Sequence, residues 1–110
     1  MKKGDVFLVD IPRGRGYEQR GFRPAILVTG VNCGIVSMIP LSTNINALRY
    51  PYTLIIKKSE INNLNRNSVA LIFQLRGIDL GLLFKKIGEV DKGVMDEIDK
   101  LIKEMFDIKL

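Results

Sequence analysis

The sequence predicts a mostly-β α+β fold, a small curled sheet or barrel of short strands with one amphipathic helix laid on it. Three observations carry this. Short runs rich in Val, Ile, Leu and Phe recur from residue 4 to about residue 87, separated by Gly-, Pro- and Asn-containing turns. After residue 90 the apolar period changes to helical spacing. No internal repeat or linker divides residues 1–110, so a single domain is expected. Many short strands followed by one helix suit a small sheet that buries one face under that helix.

Residues 4–11 read as the first strand, enriched in Val and Phe and closed by Pro12. A loop follows, Gly14-Arg15-Gly16-Tyr17-Glu18-Gln19-Arg20-Gly21-Phe22-Arg23-Pro24. Pro24 disfavours helix at Arg23, which places that arginine in extended chain at a strand entry. Residues 25–29 form a buried strand. Asn32-Cys33-Gly34 turns the chain into a hairpin with 35–41, where Pro40 implies a strand end or an edge position. Ser42-Thr43-Asn44 opens a polar loop. Residues 52–57 are a further strand, the run from Asn62 to Asn67 is turn-forming, and 68–74 is a strand ending near polar Gln74 and Arg76. A short strand falls near 83–87. Val94, Ile98, Leu101 and Met105 mark the helix over 94–106. Asp91 is its expected N-cap, Val90 and Met95 its hydrophobic staple, and Lys100 and Lys103 belong to its wet side.

Seventeen Lys and Arg against twelve Asp and Glu give a formal charge of +5. Residues 1–66 hold ten basic and four acidic groups, whereas 91–110 hold four and six. The front of the chain is therefore the expected anion-binding part, and an anionic partner such as nucleic acid is favoured. One cysteine, Cys33, excludes an internal disulfide and fits a reducing, cytoplasmic setting. The first apolar run is too short for a signal peptide, and no stretch is long enough for a membrane span.

Several chemistries are set aside. With no histidine and one cysteine, neither a Cys/His zinc site nor a Ser-His or Cys-His nucleophile pair can be built. Gly14-Arg15-Gly16 is too short for a Walker A or dinucleotide fingerprint. The acidic residues show no metal-ligand spacing, so neither metal nor cofactor is expected. What remains is Glu18, Gln19, Arg20, Arg23, Ser42, Thr43, Gln74 and Arg76. Arginine binds phosphate through a planar fork of donors. Hydroxyls can hold a phosphate oxygen, and a carboxylate can take a proton. These groups suit RNA cleavage by its own 2′-hydroxyl, in which the protein positions the backbone, stabilises charge on phosphorus and manages two protons. Each also has an ordinary structural role. Ser42 and Thr43 fit a turn that caps a strand end, Gln74 and Arg76 fit edge polar positions, and Tyr17 and Phe22 fit packing under the loop as well as base stacking.

The order of motifs resembles the MazF/PemK family of toxin endoribonucleases. It runs Gly4-Asp5-Val6, then Glu18-Gln19 to Arg23-Pro24, then Pro40-Leu41-Ser42-Thr43, Gln74 to Asp79, and Lys86 to Asp91 before the final helix. The resemblance implies an SH3-like barrel of the MazF/PemK/CcdB type with a C-terminal helix. It further implies a homodimer, metal-independent cleavage of single-stranded RNA at a short sequence, and inhibition by a cognate antitoxin with an acidic, partly disordered segment. On that reading Arg23, Ser42 and Glu18 are the catalytic residues, with serine standing where the family carries threonine. Gln19, Arg20, Thr43, Gln74 and Arg76 bind RNA. Two rival readings use the same fold: a CcdB-like toxin that binds a protein such as gyrase, and a silent module that binds RNA or protein. A protein-binding surface has no need of the Glu18, Arg23 and Ser42 set.

Overall fold

A computed structural model describes residues 1–11 and 22–107. Among them seven strands form one sheet: β1 (Asp5–Asp10), β2 (Phe22–Leu27), β3 (Ile35–Ser42), β4 (Thr53–Ile56), β5 (Ser68–Leu71), β6 (Arg76–Asp79) and β7 (Leu83–Glu89). The helix α1 (Lys92–Met105) follows. The strand order is β4-β5-β3-β2-β1-β7, with β6 also paired to β3. All pairings are antiparallel.

The β2–β3 hairpin is closed by a two-residue turn. Asn32 and Ile35 exchange backbone hydrogen bonds of 2.9 and 3.0 Å, and Cys33 and Gly34 both have positive φ, 53° and 77°. This is the type I′ geometry whose twist matches that of paired strands. β3 is the long central strand and shares its outer edge between two partners. Its first half pairs with β6, ending at Met38↔Arg76, and its last two residues pair with β5 through Leu41↔Ala70 and Ser42↔Val69. Pro40 is thus inside a central strand, not on an edge or at a strand end as its sequence context suggests. It is tolerated because it is the last β3 residue paired with β2, at Ala25↔Pro40, and lies between the ladders to β6 and β5. A missing N–H is least disruptive at such a place.

The SH3-like barrel implied by the family resemblance is not formed: the sheet is open between β4 and β7. The reason lies in the loop after β4. Along β7 runs not a strand but this Asn-rich loop. Glu89 N–H donates to Ile61 O at 3.1 Å, and Asn63 Nδ2 donates to Ile87 O at 2.6 Å. Buried Asn62 folds the loop on itself. Its Oδ1 accepts from Ser59 N–H and Leu64 N–H, and its Nδ2 donates to Lys57 O. A segment so committed to local side-chain bonds, with Asn63 at φ 54°, cannot extend a ladder. The loop also comes so close to Gly88 that a Cβ there would lie 2.7 Å from the Asn62 carbonyl and closer still to that of Ile61.

Both faces of the sheet are covered by apolar side chains. Val6, Ile26, Ile39, Leu41 and Ala70 pack with Met95 and Ile98 of α1. On the other face Phe7, Val9, Ala25, Leu27, Val36, Met38 and Ile78 form a second core. Asp91 caps α1, its Oδ1 accepting from Val94 N–H at 2.8 Å, and Val90 and Met95 meet in the helix-side core. The expected cap and staple are both present. Lys100 and Lys103 are exposed, and Lys3 ties Asp99 of α1 to the N-terminus at 2.8 Å.

Asp5 is 1% exposed. Burial works against its charge, but the Lys2 backbone N–H at 2.8 Å and the Lys86 ammonium 3.2 Å away outweigh it and hold the carboxyl below its ordinary value. The Lys86 ammonium lies against Oδ1 as an ion pair. Since the folded value is the lower one, this charge stabilises the fold above the unfolded carboxylate range, near pH 4. That contribution is lost as pH falls through the folded value. Asp5→Asn is expected to cost about 1–3 kcal/mol in urea unfolding at pH 7. It should also flatten the loss of stability below about pH 4. Equal acid sensitivity in variant and parent would contradict this assignment.

Candidate functional site

Strand register and alternation bring three of the expected residues to one face. Arg23 pairs with Val9 of β1 and alternates with Ala25 and Leu27, so it belongs to the face opposite α1. Arg76 pairs with Met38 and alternates with Ile78, and Ser42 alternates with Met38 and Val36, so both share that face. The β2–β3 ladder ends at Ala25↔Pro40, and Arg23 and Ser42 each lie one same-face step beyond that pair. Arg23 and Ser42 are half-buried, and Arg76 is exposed.

Local sequence explains each position. Arg23 is extended because Pro24 follows it and because β1 pairs with it. Ser42 closes β3, and its Oγ accepts from Asn44 N–H at 3.1 Å. Asn44 Oδ1 in turn accepts from Asn46 N–H at 3.1 Å, starting the 3₁₀ turn Ile45–Arg49. The turn-capping role of Ser42 is therefore real. It uses the hydroxyl as an acceptor and leaves its proton for another partner. Thr43 is exposed within this turn. Gln74 is exposed at the end of the 3₁₀ turn Ile72–Gln74, two residues before Arg76. Glu18, Gln19 and Arg20 lie outside the described residues.

The site thus offers a guanidinium that stays charged and, among the described residues, a hydroxyl that accepts one bond and can donate another, both on one face, with a second guanidinium farther along. Such donors suit a phosphodiester. Among the described residues no group of three His, Cys, Asp or Glu side chains could hold a metal ion. No described helix is long and apolar enough to cross a membrane. Strand β6, which carries Arg76, has a weak sequence signal because Arg76-Gly77-Ile78-Asp79 has a single core side chain and a glycine.

The chain is 31% identical over 106 residues to the endoribonuclease MazF of Staphylococcus saprophyticus, covering 93% of this chain and 88% of that one. In fold it resembles the Mycobacterium tuberculosis toxin MazF-mt6, with a TM-score of 0.76 at 16% identity over 96% of this chain and 99% of that one. It also resembles a mycobacterial endoribonuclease solved in complex with its cognate antitoxin, with a TM-score of 0.72 at 18% identity over 98% and 96% of the two chains. A family model matches residues 2–106, a span that includes every strand, α1 and all the site positions described above, and the chain belongs to the family of PemK-like, MazF-like toxins of type II toxin–antitoxin systems.

Proposed function

We propose that this chain is a toxin endoribonuclease that cuts single-stranded RNA at a short sequence without metal. The observation that carries this reading is the placement of Arg23 and Ser42 on one sheet face, each one same-face step beyond the Ala25↔Pro40 pair. The 2′-hydroxyl on the 5′ side of the cut attacks the adjacent phosphorus. A P–O bond forms, the bond to the 5′ oxygen breaks, and the products end in a 2′,3′-cyclic phosphate and a 5′-hydroxyl. Arg23 stabilises the extra negative charge on phosphorus and passes a proton to the leaving 5′ oxygen; it regains one from solvent, to which Glu18 returns the proton it took. The Ser42 hydroxyl donates to a phosphate oxygen and helps hold the attack in line. Glu18 is the assigned base for the 2′-hydroxyl proton. Arginine stays protonated in proteins and is a poor candidate for that task. Gln19, Arg20, Thr43, Gln74 and Arg76 line the RNA path.

The working form in this reading is a cytoplasmic homodimer of single-domain chains. Support for pairing comes from Val31, Ile35 and Leu80, apolar side chains exposed around the β2–β3 turn, where Leu80 N–H donates to Gly34 O at 2.8 Å. The cognate antitoxin carries an acidic, partly disordered segment, drawn to the basic first 66 residues.

The test is to incubate the purified protein with mixed-sequence RNA in EDTA and map the ends. Cleavage with cyclic-phosphate and 5′-hydroxyl ends is expected, and a 2′-deoxy sugar at the cut should block it. Activity that needs added Mg²⁺, or unchanged cutting of the deoxy substrate, would refute the mechanism.

A further inference from the structure

The phosphate contacts just assigned carry no sequence information, because every nucleotide presents the same backbone. Cutting at a short sequence requires groups that reach bases. An exposed aromatic pair stands on the two chain segments that continue from Ser42 and lead to Arg76. Tyr50 is 47% and Phe73 42% exposed, and their ring centroids lie 6.0 Å apart at an interplanar angle of 58°. Arg49 covers Tyr50, its Cζ 4.9 Å from the ring centroid, and its Nη2 donates to Tyr50 Oη at 2.8 Å. The pair joins the two segments that leave the site. One runs from Ser42 through the Ile45–Arg49 turn, and the other leads through Gln74 to Arg76.

These rings are held in place from behind. Thr53 Oγ1 donates to Tyr50 O at 2.8 Å, and Phe73 N–H donates to Tyr52 O at 3.3 Å. Tyr52 adopts φ 58°, a conformation unusual for a bulky residue, and packs toward the helix-side core. Strain of this kind persists only where the surroundings fix it. Its effect here is that Tyr52 points inward while Tyr50, two residues earlier, stays out.

We propose that Tyr50 and Phe73, with Arg49, form a stacking platform for an unpaired base next to the scissile phosphate and thereby set where the RNA is cut. This rests on the endoribonuclease reading given above. Single-stranded RNA is recognised by stacking on aromatic rings and guanidinium planes. The Gln74 amide, adjacent to Phe73, supplies one donor and one acceptor group for the base edge. The cation of Arg49 favours a polyanion over a neutral apolar partner.

The experiment compares the full-length protein with Tyr50→Ala, Phe73→Ala and Tyr50→Phe. It reads cut sites on a mixed-sequence RNA, kcat and KM on one cleaved oligonucleotide, and mass by light scattering. Each alanine variant is expected to lower kcat/KM about 10- to 100-fold, mainly through KM, and to broaden the cut-site profile. Tyr50→Phe keeps the ring and should retain the profile. If the parent protein cuts RNA and the alanine variants cut the same sites equally well, the platform is refuted while the enzyme reading stands. A shift of the alanine variants to a smaller mass would make the pair an interface between copies and overturn the proposal. A parent protein that cuts no RNA would overturn both.

Discussion

Replacing Arg23 with alanine is expected to lower single-turnover RNA cleavage about 10³-fold or more, at the upper end of what loss of one donor to a developing oxyanion costs. Arg23 is fixed by its backbone pairing with Val9, and its charge is needed where phosphorus gains a second negative charge. The fold should survive. The side chain is half-buried at the end of the second core, and alanine removes an aliphatic stem from its margin without opening its centre. Arg23→Lys should recover only part of the rate, because an ammonium replaces the charge but not the planar fork. Rapid-quench kinetics beside a thermal melt separates the two effects. An alanine variant with parental rate would remove Arg23 from the mechanism.

How much of this was legible in the sequence depended on how local each signal is. The helix was readable because its period, its Asp91 cap and its staple all lie within one stretch of chain. The β2–β3 turn was readable for the same reason, through Asn32-Cys33-Gly34. Features set by distant partners were less so. Strand β2 begins at Phe22, ahead of the apolar run at 25–29, because β1 pairs with Phe22 and Arg23. The run 68–74 is a strand only to Leu71. It then tightens into a 3₁₀ turn that puts Ile72 in the helix-side core.

Closure of the sheet was the largest difference. Whether a sheet becomes a barrel depends on what lies along its last edge. Here that is the Asn-rich loop after β4, recognisable as a turn in sequence but not as the cover of β7. The site shows the same division. Residue types and order singled out Arg23, Ser42 and Arg76. Only the register, through Val9, Pro40 and Met38, puts them on one face.

Ser42→Ala is expected to slow cleavage about 10²-fold, and Thr43→Ala to do less. The argument is one of direction. Ser42 is the last residue of β3 and shares the face of Arg23, whereas Thr43 follows it in the exposed turn. The Ser42 oxygen already accepts the Asn44 N–H, which orients the hydroxyl and leaves its proton available to a phosphate oxygen. Alanine also deletes that turn bond, worth about 1 kcal/mol of stability, so a melt must accompany the kinetics. Ser42→Thr separates the two roles. It keeps a hydroxyl that can both accept from Asn44 and donate to phosphate, and should retain most of the rate. A larger loss in Thr43→Ala than in Ser42→Ala would move the catalytic hydroxyl by one residue. It would then lie outside the face that carries Arg23, and the register argument for the site would fail with it.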